Sequence, residues 1–455
     1  MTPLTRERVA WLTATVMIGM LAFQLNGTLA HREDDYAFVR TLVDIHRQVS
    51  KHYVEPVDQT KLRQGAIEGL LQQLDPHTNY IPPANEEDFD RRLEGSFKGI
   101  GVQLDQAENG DIRVISPIEG SPAFKAGVRA GDIILRINGD DVKGMKIDQV
   151  QEKIKNGPLE VHMRVRHVNG EEVDLPPMTR QEIMLSTVKG YKRNTDATWD
   201  WFVHDQPKIG YVRITQFTPD TFDRTKAGLE EMLAAGMQAL ILDLRFNPGG
   251  QLDQAEQIVD LFVEEGVIVV TRGRNRPQII QRAQKEGTLP NFPMIVLVNE
   301  HSASASEVVA GSLQDNGRAL VLGERTYGKG SVQEVMSLDN HDGKLKMTVA
   351  YYYLPSGRLV HKKEGATEWG VEPQIKIEMD EAQERRLIMA QMDSEIIGNP
   401  PTRPAITRPA TGPGNTQPAT QPTGPIDPQL DAAISTLIGH ILLKNKPLPP
   451  AATQP

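Results

Sequence analysis

Residues 239–263 read ALILDLRFNPGGQLDQAEQIVDLFV: an apolar run that breaks at Asn247-Pro248-Gly249-Gly250 and resumes at helical spacing from Leu252 to Val263. A short apolar run of this kind belongs to a strand covered on both faces, and a strand that passes through a turn into a helix is half of a βαβ unit. The alternation extends outward. IGYVRIT (from Ile209), a helical pattern over 221–235, VIVVT (from Val267), MIVLVNE (from Met294), a helical pattern over 304–315, ALVLGE (from Ala319) and KLKMTVAYYYL (from Lys344) follow one another between Lys208 and Gln374. The pattern predicts an α/β layer structure with helices packed on a largely buried sheet.

The flanks read differently. Residues 95–180 form short β-type runs joined at Asn109-Gly110, Asn138-Gly139 and Asn169-Gly170, with one short helix over about 147–155, which predicts a small β-rich module. Before it, Phe38, Leu42, Ile45 and Val49, then Leu62, Ile67, Leu70, Leu71 and Leu74, recur at helical spacing, and Pro56 separates two helices near 53–58. Beyond Gly398, 13 of the 31 prolines fall in the last 56 residues, so that stretch is a linker, interrupted by an amphipathic segment over 430–443.

At 455 residues the chain needs two or three domains. A net charge of −10 gives no basic excess for phosphate backbones, which argues against nucleic acid as a partner. With no cysteine, thiolate chemistry is excluded and a nucleophile must be oxygen or nitrogen. Arg6 and Arg8 precede the uncharged run Trp11 to Leu25 and a polar exit at His31 to Asp35, the order of an export signal or an uncleaved anchor. The bulk of the protein is therefore expected in the cell envelope, periplasmic or otherwise extracytoplasmic, with the anchor in the inner membrane as one alternative.

Three segments place functional atoms where a strand meets a turn. Asp243 to Gly250 ends in paired glycines whose N–H groups can approach an oxyanion. Val298 to Glu307 (VNEHSASASE) has capping-box form at Ser304 and Glu307, so Ser304 is either a helix cap or a nucleophile beside the positive end of the helix dipole. Gly323 to Gln333 approaches a phosphate-loop pattern, but Gly330 follows Lys329 where a hydroxyl is needed, which leaves Lys329 as a solvated lysine or a base. The sequence has neither a Gly-x-Ser-x-Gly elbow nor His-Glu-x-x-His. A Ser/Lys pair remains.

SASASE, TYGKGSVQ, LRFNPGG and the opening Phe97-Lys98-Gly99-Ile100-Gly101, with Asp75 to Thr78 and Trp369 to Pro373, together resemble the C-terminal processing proteases, serine–lysine endopeptidases with an inserted PDZ domain. The resemblance implies an α/β (α+β multidomain) fold with N-terminal helices, a PDZ domain, a crotonase-like protease core and a Pro-rich tail with a terminal helix. The corresponding boundaries are 1–30 signal or anchor, 33–94 helical, 95–180 PDZ, 181–380 protease, 381–398 helix, 399–428 linker, 429–445 helix and 446–455 tail. It implies Ser304 as nucleophile, Lys329 as base, Gln333 orienting the lysine, and the Gly250 and Ala305 amides as oxyanion hole. Asp315 matches a position of structural role. The residues themselves do not choose among Ser302, Ser304 and Ser306; the resemblance does.

The PDZ resemblance rests on Ser121-Pro122-Ala123, Ala126-Gly127 and Ala130-Gly131-Asp132, and it makes Phe97, Gly99, Ile100, Gly101 and Val102 the peptide-binding residues. The expectation is an exported endopeptidase that takes proteins or peptides by their free C-termini, with no metal and no cofactor; the alternative is a catalytically silent PDZ scaffold. Association with the membrane through the N-terminal segment is expected, and a homo-oligomer and an accessory protein stay open as partners.

Overall fold

The computed structural model describes residue 11 and residues 39–107, 109–339, 342–397 and 426–444. The export segment apart from Trp11, the part of the 399–428 linker up to residue 425, and the tail beyond 444 lie outside the described residues. Two compact units divide the chain, 1–80 and 81–455. In the first, helices α1 (39–52) and α2 (Gln59–Leu71) flank the break at Pro56. Asp58 starts α2 by accepting from the N–H groups of Thr60 and Lys61 at 3.0 and 3.2 Å. The Asp75 carboxylate closes the next turn on Thr78, through its N–H at 3.1 Å and its hydroxyl at 2.8 Å.

The second unit opens with α3 (Glu86–Leu93) and a β-rich module: β1 (Ser96–Gly99), β2 (Val102–Gln106), β3 (Ile112–Pro117), β4 (Ile133–Ile137), α4 (Ile147–Asn156), β5 (Met163–Arg166), β6 (Glu172–Asp174) and β7 (Gln181–Met184). Strands run in the order β2-β3-β4-β5-β6, antiparallel, which leaves β2 at an edge, while β1 pairs with β7. Their inward residues, Ile112, Val114, Ile134, Ile137 and Val165 among them, pack with Val150 and Ile154 of α4 into a separate core.

The catalytic-size part begins at β8 (Lys208–Ile214) and continues through α5 (Thr221–Ala234), β9 (Ala239–Asp243), α6 (Leu252–Asp260), β10 (Gly266–Arg272), β11 (Ile279–Ala283), β12 (Met294–Val298), α7 (Ala305–Asp315), β13 (Leu320–Gly323), β14 (Ser331–Ser337), β15 (Lys344–Tyr353) and β16 (Ile375–Lys376). Strands β8, β9, β12, β13 and β16 are parallel and adjacent in that order. Every residue of β9 and β12 is buried, as their unbroken apolar reading requires. The alternation does not, however, yield one sheet: β14, β15, β10 and β11 make a second, antiparallel sheet. Nearly all of β15 is half-exposed, so a run of alternating Lys and Thr with apolar residues belongs on a sheet with one wet face rather than in the parallel core.

Helices α5 to α7 cover one face of the parallel sheet. The other is covered by α9 (Pro428–Lys444), the C-terminal helix, which packs Leu430, Ala433 and Leu437 on Ile209, Tyr211, Ile241, Ile295 and Leu297. Burying each leucine contributes roughly 1.5–3 kcal/mol, enough to hold a single helix on the sheet. Helix α8 (Glu381–Ser394) precedes it in the chain. No helix among the described residues is long and apolar enough to cross a membrane.

Candidate active site

The candidate residues gather at the carboxyl ends of β9 and β12 and at the start of β14, the crevice where open α/β sheets present chemistry. Beyond β9, Asn247 fixes the glycine turn: its amide donates to Ile214 O (2.8 Å), its Oδ1 accepts from Gly249 N (2.9 Å), and its own carbonyl accepts from Ala303 N and Ser306 Oγ, each at 3.0 Å. Gly249 lies against the serine segment, since a Cβ there would stand 2.7 Å from Ser304 Cβ and 3.0 Å from Ala305 N. Gly250, at φ 146°, leaves no room either: a Cβ would meet Phe217 O at 2.1 Å. Among the described residues, neither Gly250 N–H nor Ala305 N–H has an acceptor. Two amides beside Ser304 are thus free to hold an oxyanion.

Beyond β12 the three serines separate. Ser302 Oγ donates to Leu244 O (2.9 Å) and accepts from Asn299 N (3.0 Å); Ser306 Oγ donates to Asn247 O; both side chains are fully buried. Ser304 is half-buried and sits at φ 57°, ψ −117°, a conformation that costs on the order of 1–3 kcal/mol for a residue with a side chain. Only one half of the reciprocal cap is made. Ser304 N donates to Glu307 Oε2 (2.8 Å), whereas Glu307 N donates to the Ser304 carbonyl (2.9 Å), which leaves the hydroxyl out of the cap and in contact with the Tyr352 hydroxyl.

Lys329 arrives from the loop before β14. Gly328 turns the chain at φ 91°, and a Cβ on Gly330 would stand 2.3 Å from His361 N, so both glycines serve the bend. Lys329 N donates to Glu307 Oε2 at 2.8 Å, the same oxygen that accepts from Ser304 N. Glu307 Oε1 accepts from Gly328 N (2.7 Å) and Thr326 Oγ1 (2.6 Å). One buried carboxylate therefore ties the serine turn to the lysine loop. Tyr352 adds a second tie, donating to the Lys329 carbonyl. Burial pushes the Glu307 carboxyl up to about 7 against the pull of its four donors. Burial, aided by the charge of Lys346, pushes Lys329 below the ordinary lysine value, and Glu307 opposes this. Among the described residues Lys329 Nζ makes no ion pair.

The orienting contact expected of Gln333 is not made in this structure. Its amide donates to Ser331 O (3.2 Å), Ser331 Oγ (2.9 Å) and Thr348 Oγ1 (3.2 Å), beside a register shift between Val332 and Gln333. Asp315 accepts from Ser356 N at 3.0 Å, a structural contact.

Phe97, Gly99, Ile100, Gly101 and Val102 line a groove of about 280 Å³ between the edge strand β2 and α4, closed below by Leu104 and Ile154. The N–H groups of Ile100 and Gly101 have no acceptor among the described residues; Asp88, Arg91, Arg92, Lys98 and Lys155 also line the groove, with Lys155 paired to Asp88 at 3.0 Å. An unpaired edge, free amides and an apolar floor are what an added peptide strand with a terminal carboxylate requires.

Residues 208–377 match peptidase family S41 and residues 89–166 match the PDZ domain. The carboxy-terminal-processing protease of Bartonella bacilliformis is 36% identical over 359 residues, 77% of each chain. The chain belongs to peptidase family S41. A second relative, the carboxy-terminal processing protease CtpA of Bacillus subtilis, is 33% identical over 73% of this chain and 68% of that one. Among solved structures, the photosystem II D1 C-terminal processing protease is 28% identical, covering 74% of this chain and 86% of that one, with a TM-score of 0.44. This S41 member is accordingly a serine peptidase with a PDZ domain. Sequence reasoning missed how its Glu307 and Tyr352 act. Glu307 is legible only as the fourth residue of a capping box, and Tyr352 only as one of three consecutive tyrosines.

Proposed function

We propose that this S41 peptidase is an exported endopeptidase that takes unfolded chains by their free C-termini and cleaves through an acyl-enzyme on Ser304, with Lys329 as base. The observation that carries the reading is the shared oxygen: Ser304 and Lys329 donate their N–H groups to one atom of Glu307, while the Ser304 hydroxyl stays out of the helix cap. Neutral Lys329 Nζ takes the proton of Ser304 Oγ as that oxygen bonds to the substrate carbonyl carbon. The oxyanion then lies between Gly250 N–H and Ala305 N–H, supported by the dipole of α7. The C–N bond breaks as the lysine passes its proton to the leaving amine, and water, activated by the same nitrogen, releases the acyl group. No hydrogen bond joins Ser304 Oγ to Lys329 Nζ in this structure, so the reading requires the two to close on each other when substrate binds.

Tail recognition is supported by the open edge of β2 and the free amides at Ile100 and Gly101. Export is supported by the Arg6/Arg8 flank and the apolar run that follows it, which would place the enzyme in the cell envelope. The test incubates the full-length protein and Ser304→Ala with an unfolded protein, with and without chelator. Cleavage by the wild type alone, indifferent to chelator, is expected; cleavage by Ser304→Ala removes the proposed nucleophile. A reporter fused after residue 35 should be active only outside the cytoplasm.

A further inference from the structure

Just beyond β9, in the turn that leads into the oxyanion loop, stands a fully buried arginine, Arg245, and the C-terminal helix completes it. A guanidinium has five N–H donors in a fixed fork. Arg245 Nε donates to Asp243 at 3.0 Å; Nη2 donates to Asp243 Oδ2 (2.6 Å) and Asp427 Oδ2 (2.8 Å); Nη1 donates to Asp427 Oδ1 (2.8 Å) and Gln429 Oε1 (3.1 Å). All five donors are thereby satisfied, three of them by the head of α9. Asp243 also accepts from the buried Tyr211 hydroxyl at 2.7 Å. The Asp427 carboxylate caps α9 as well, through Leu430 N at 2.9 Å, and Gln429 anchors the same turn on Ile377 O at 2.8 Å. Arg245 immediately precedes Phe246, which is held at φ 60°, and the turn that presents Gly250 N–H.

We infer that Asp427, with Gln429, is a positioning residue for the peptidase reaction: by completing Arg245 from the C-terminal helix it fixes the strand end that aims the oxyanion loop. This rests on the Ser304/Lys329 reading with Gly250 as an oxyanion donor. Without Asp427 two of the guanidinium's donors lose their acceptor in a dry site, and without Gln429 a third, so the chain must shift there to satisfy them. That shift begins five residues before Gly250. A distant, exposed-looking segment after a Pro-rich stretch thus becomes part of what the cleft needs, and docking of α9 and competence of the cleft are one equilibrium rather than two.

The inference separates from simple glue by comparing two ways of loosening α9 in the full-length protein. Asp427→Ala breaks the clamp; Leu437→Ala loosens the apolar face 10 residues farther along and leaves the clamp intact. Thermal unfolding, kcat and KM on one unfolded peptide, and amide hydrogen exchange over 244–250 are read for each. Asp427→Ala should lower kcat about tenfold, equivalent to about 1.4 kcal/mol of barrier, with KM changed less than about threefold and exchange over 244–250 accelerated. Asp427→Glu should recover part of kcat. Leu437→Ala should keep kcat within about twofold whatever its loss of Tm. A folded Asp427→Ala enzyme with wild-type kcat and unchanged exchange overturns the inference, as does a kcat that follows Tm alike in both variants. Should Asp427→Ala fail to fold, Gln429→Met, which removes a single acceptor, is read in the same way: about threefold lower kcat supports the clamp and no change overturns it. A wild type that cleaves nothing would sink the Ser304/Lys329 reading, while the exchange comparison would still decide the clamp.

Discussion

The proposed catalytic cleft and the PDZ groove are both built on glycines and unpaired backbone amides, yet they treat the rest of their polar atoms in opposite ways. Around Ser304, the side chains of Asn247, Asn299, Ser302, Ser306 and Glu307 are fully buried, and each holds part of the turn by hydrogen bonds. Around Ile100 the lining is largely apolar, and the edge of β2 is unpaired. Bond-making needs dipoles already fixed where charge develops, and these side chains fix the backbone of the turns that carry them. Recognition of a tail, as proposed for the groove, needs open amides that the peptide itself fills, and those of Ile100 and Gly101 are open.

The sharpest break of that contrast is at the dyad. Lys329→Ala and Lys329→Arg should each lower kcat by about a thousandfold or more, because neither an alkyl stub nor a guanidinium can accept the Ser304 proton, and both should remain folded. Peptide turnover with circular dichroism as a folding control checks this; an active arginine variant would place the base elsewhere.

Next in size is the carboxylate that joins the two halves of the cleft. Glu307→Ala would strand four donors, from Ser304, Thr326, Gly328 and Lys329, and should cost several kcal/mol, about 3 or more. With its carboxyl raised to about 7 in the folded protein, Glu307 binds a proton there that the unfolded chain has released above 4.5. Its contribution to stability is therefore complete below pH 4.5 and is lost as pH rises through 7, on the order of 3 kcal/mol in all. Denaturant unfolding at several pH values should show this slope in the wild type and a much flatter one in Glu307→Gln; equal slopes would assign the proton to another group.

The groove should respond in binding rather than in chemistry. Amidating the C-terminus of a substrate removes a charge-assisted bond worth about 1.5–3 kcal/mol, so KM should rise about tenfold or more with kcat little altered. Ile154→Asp, which puts a like charge beside the bound carboxylate, should do the same. Equal kcat/KM for acid and amide would leave a Ser/Lys peptidase without tail recognition.

The smallest effect probes the electrostatics of the base. Lys329 is pushed below the ordinary lysine value by burial first and by Lys346 second, so activity should rise with pH to a midpoint below 10.5. Lys346→Met should move that midpoint upward, lowering kcat/KM about threefold at neutral pH. A midpoint that moves downward would mean that Lys346 acts by another route.

The sequence alone settled what is local. The apolar runs of β9 and β12 announce strands buried on both faces; Gly249, Gly250, Gly328 and Gly330 announce turns and close approaches that no side chain tolerates; and SASASE with GKGSVQ marks the segments that meet. Periodicity reports which face of an element is apolar and nothing of what packs on that face, which is why KLKMTVAYYY, read as part of one layer, belongs to a second sheet. Three matters were left to tertiary structure. The hydroxyls of Ser302 and Ser306 are committed to carbonyls contributed by the Leu244 to Asn247 turn, and only that packing sets Ser304 apart from them. Glu307 reads as a cap until Gly328 and Lys329 are brought onto its oxygens. Arg245 finds most of its acceptors on a helix 182 residues downstream. In each case a buried polar group must be paired, and in a folded chain its partner is set by which strands lie side by side, a relation that no local stretch of sequence records.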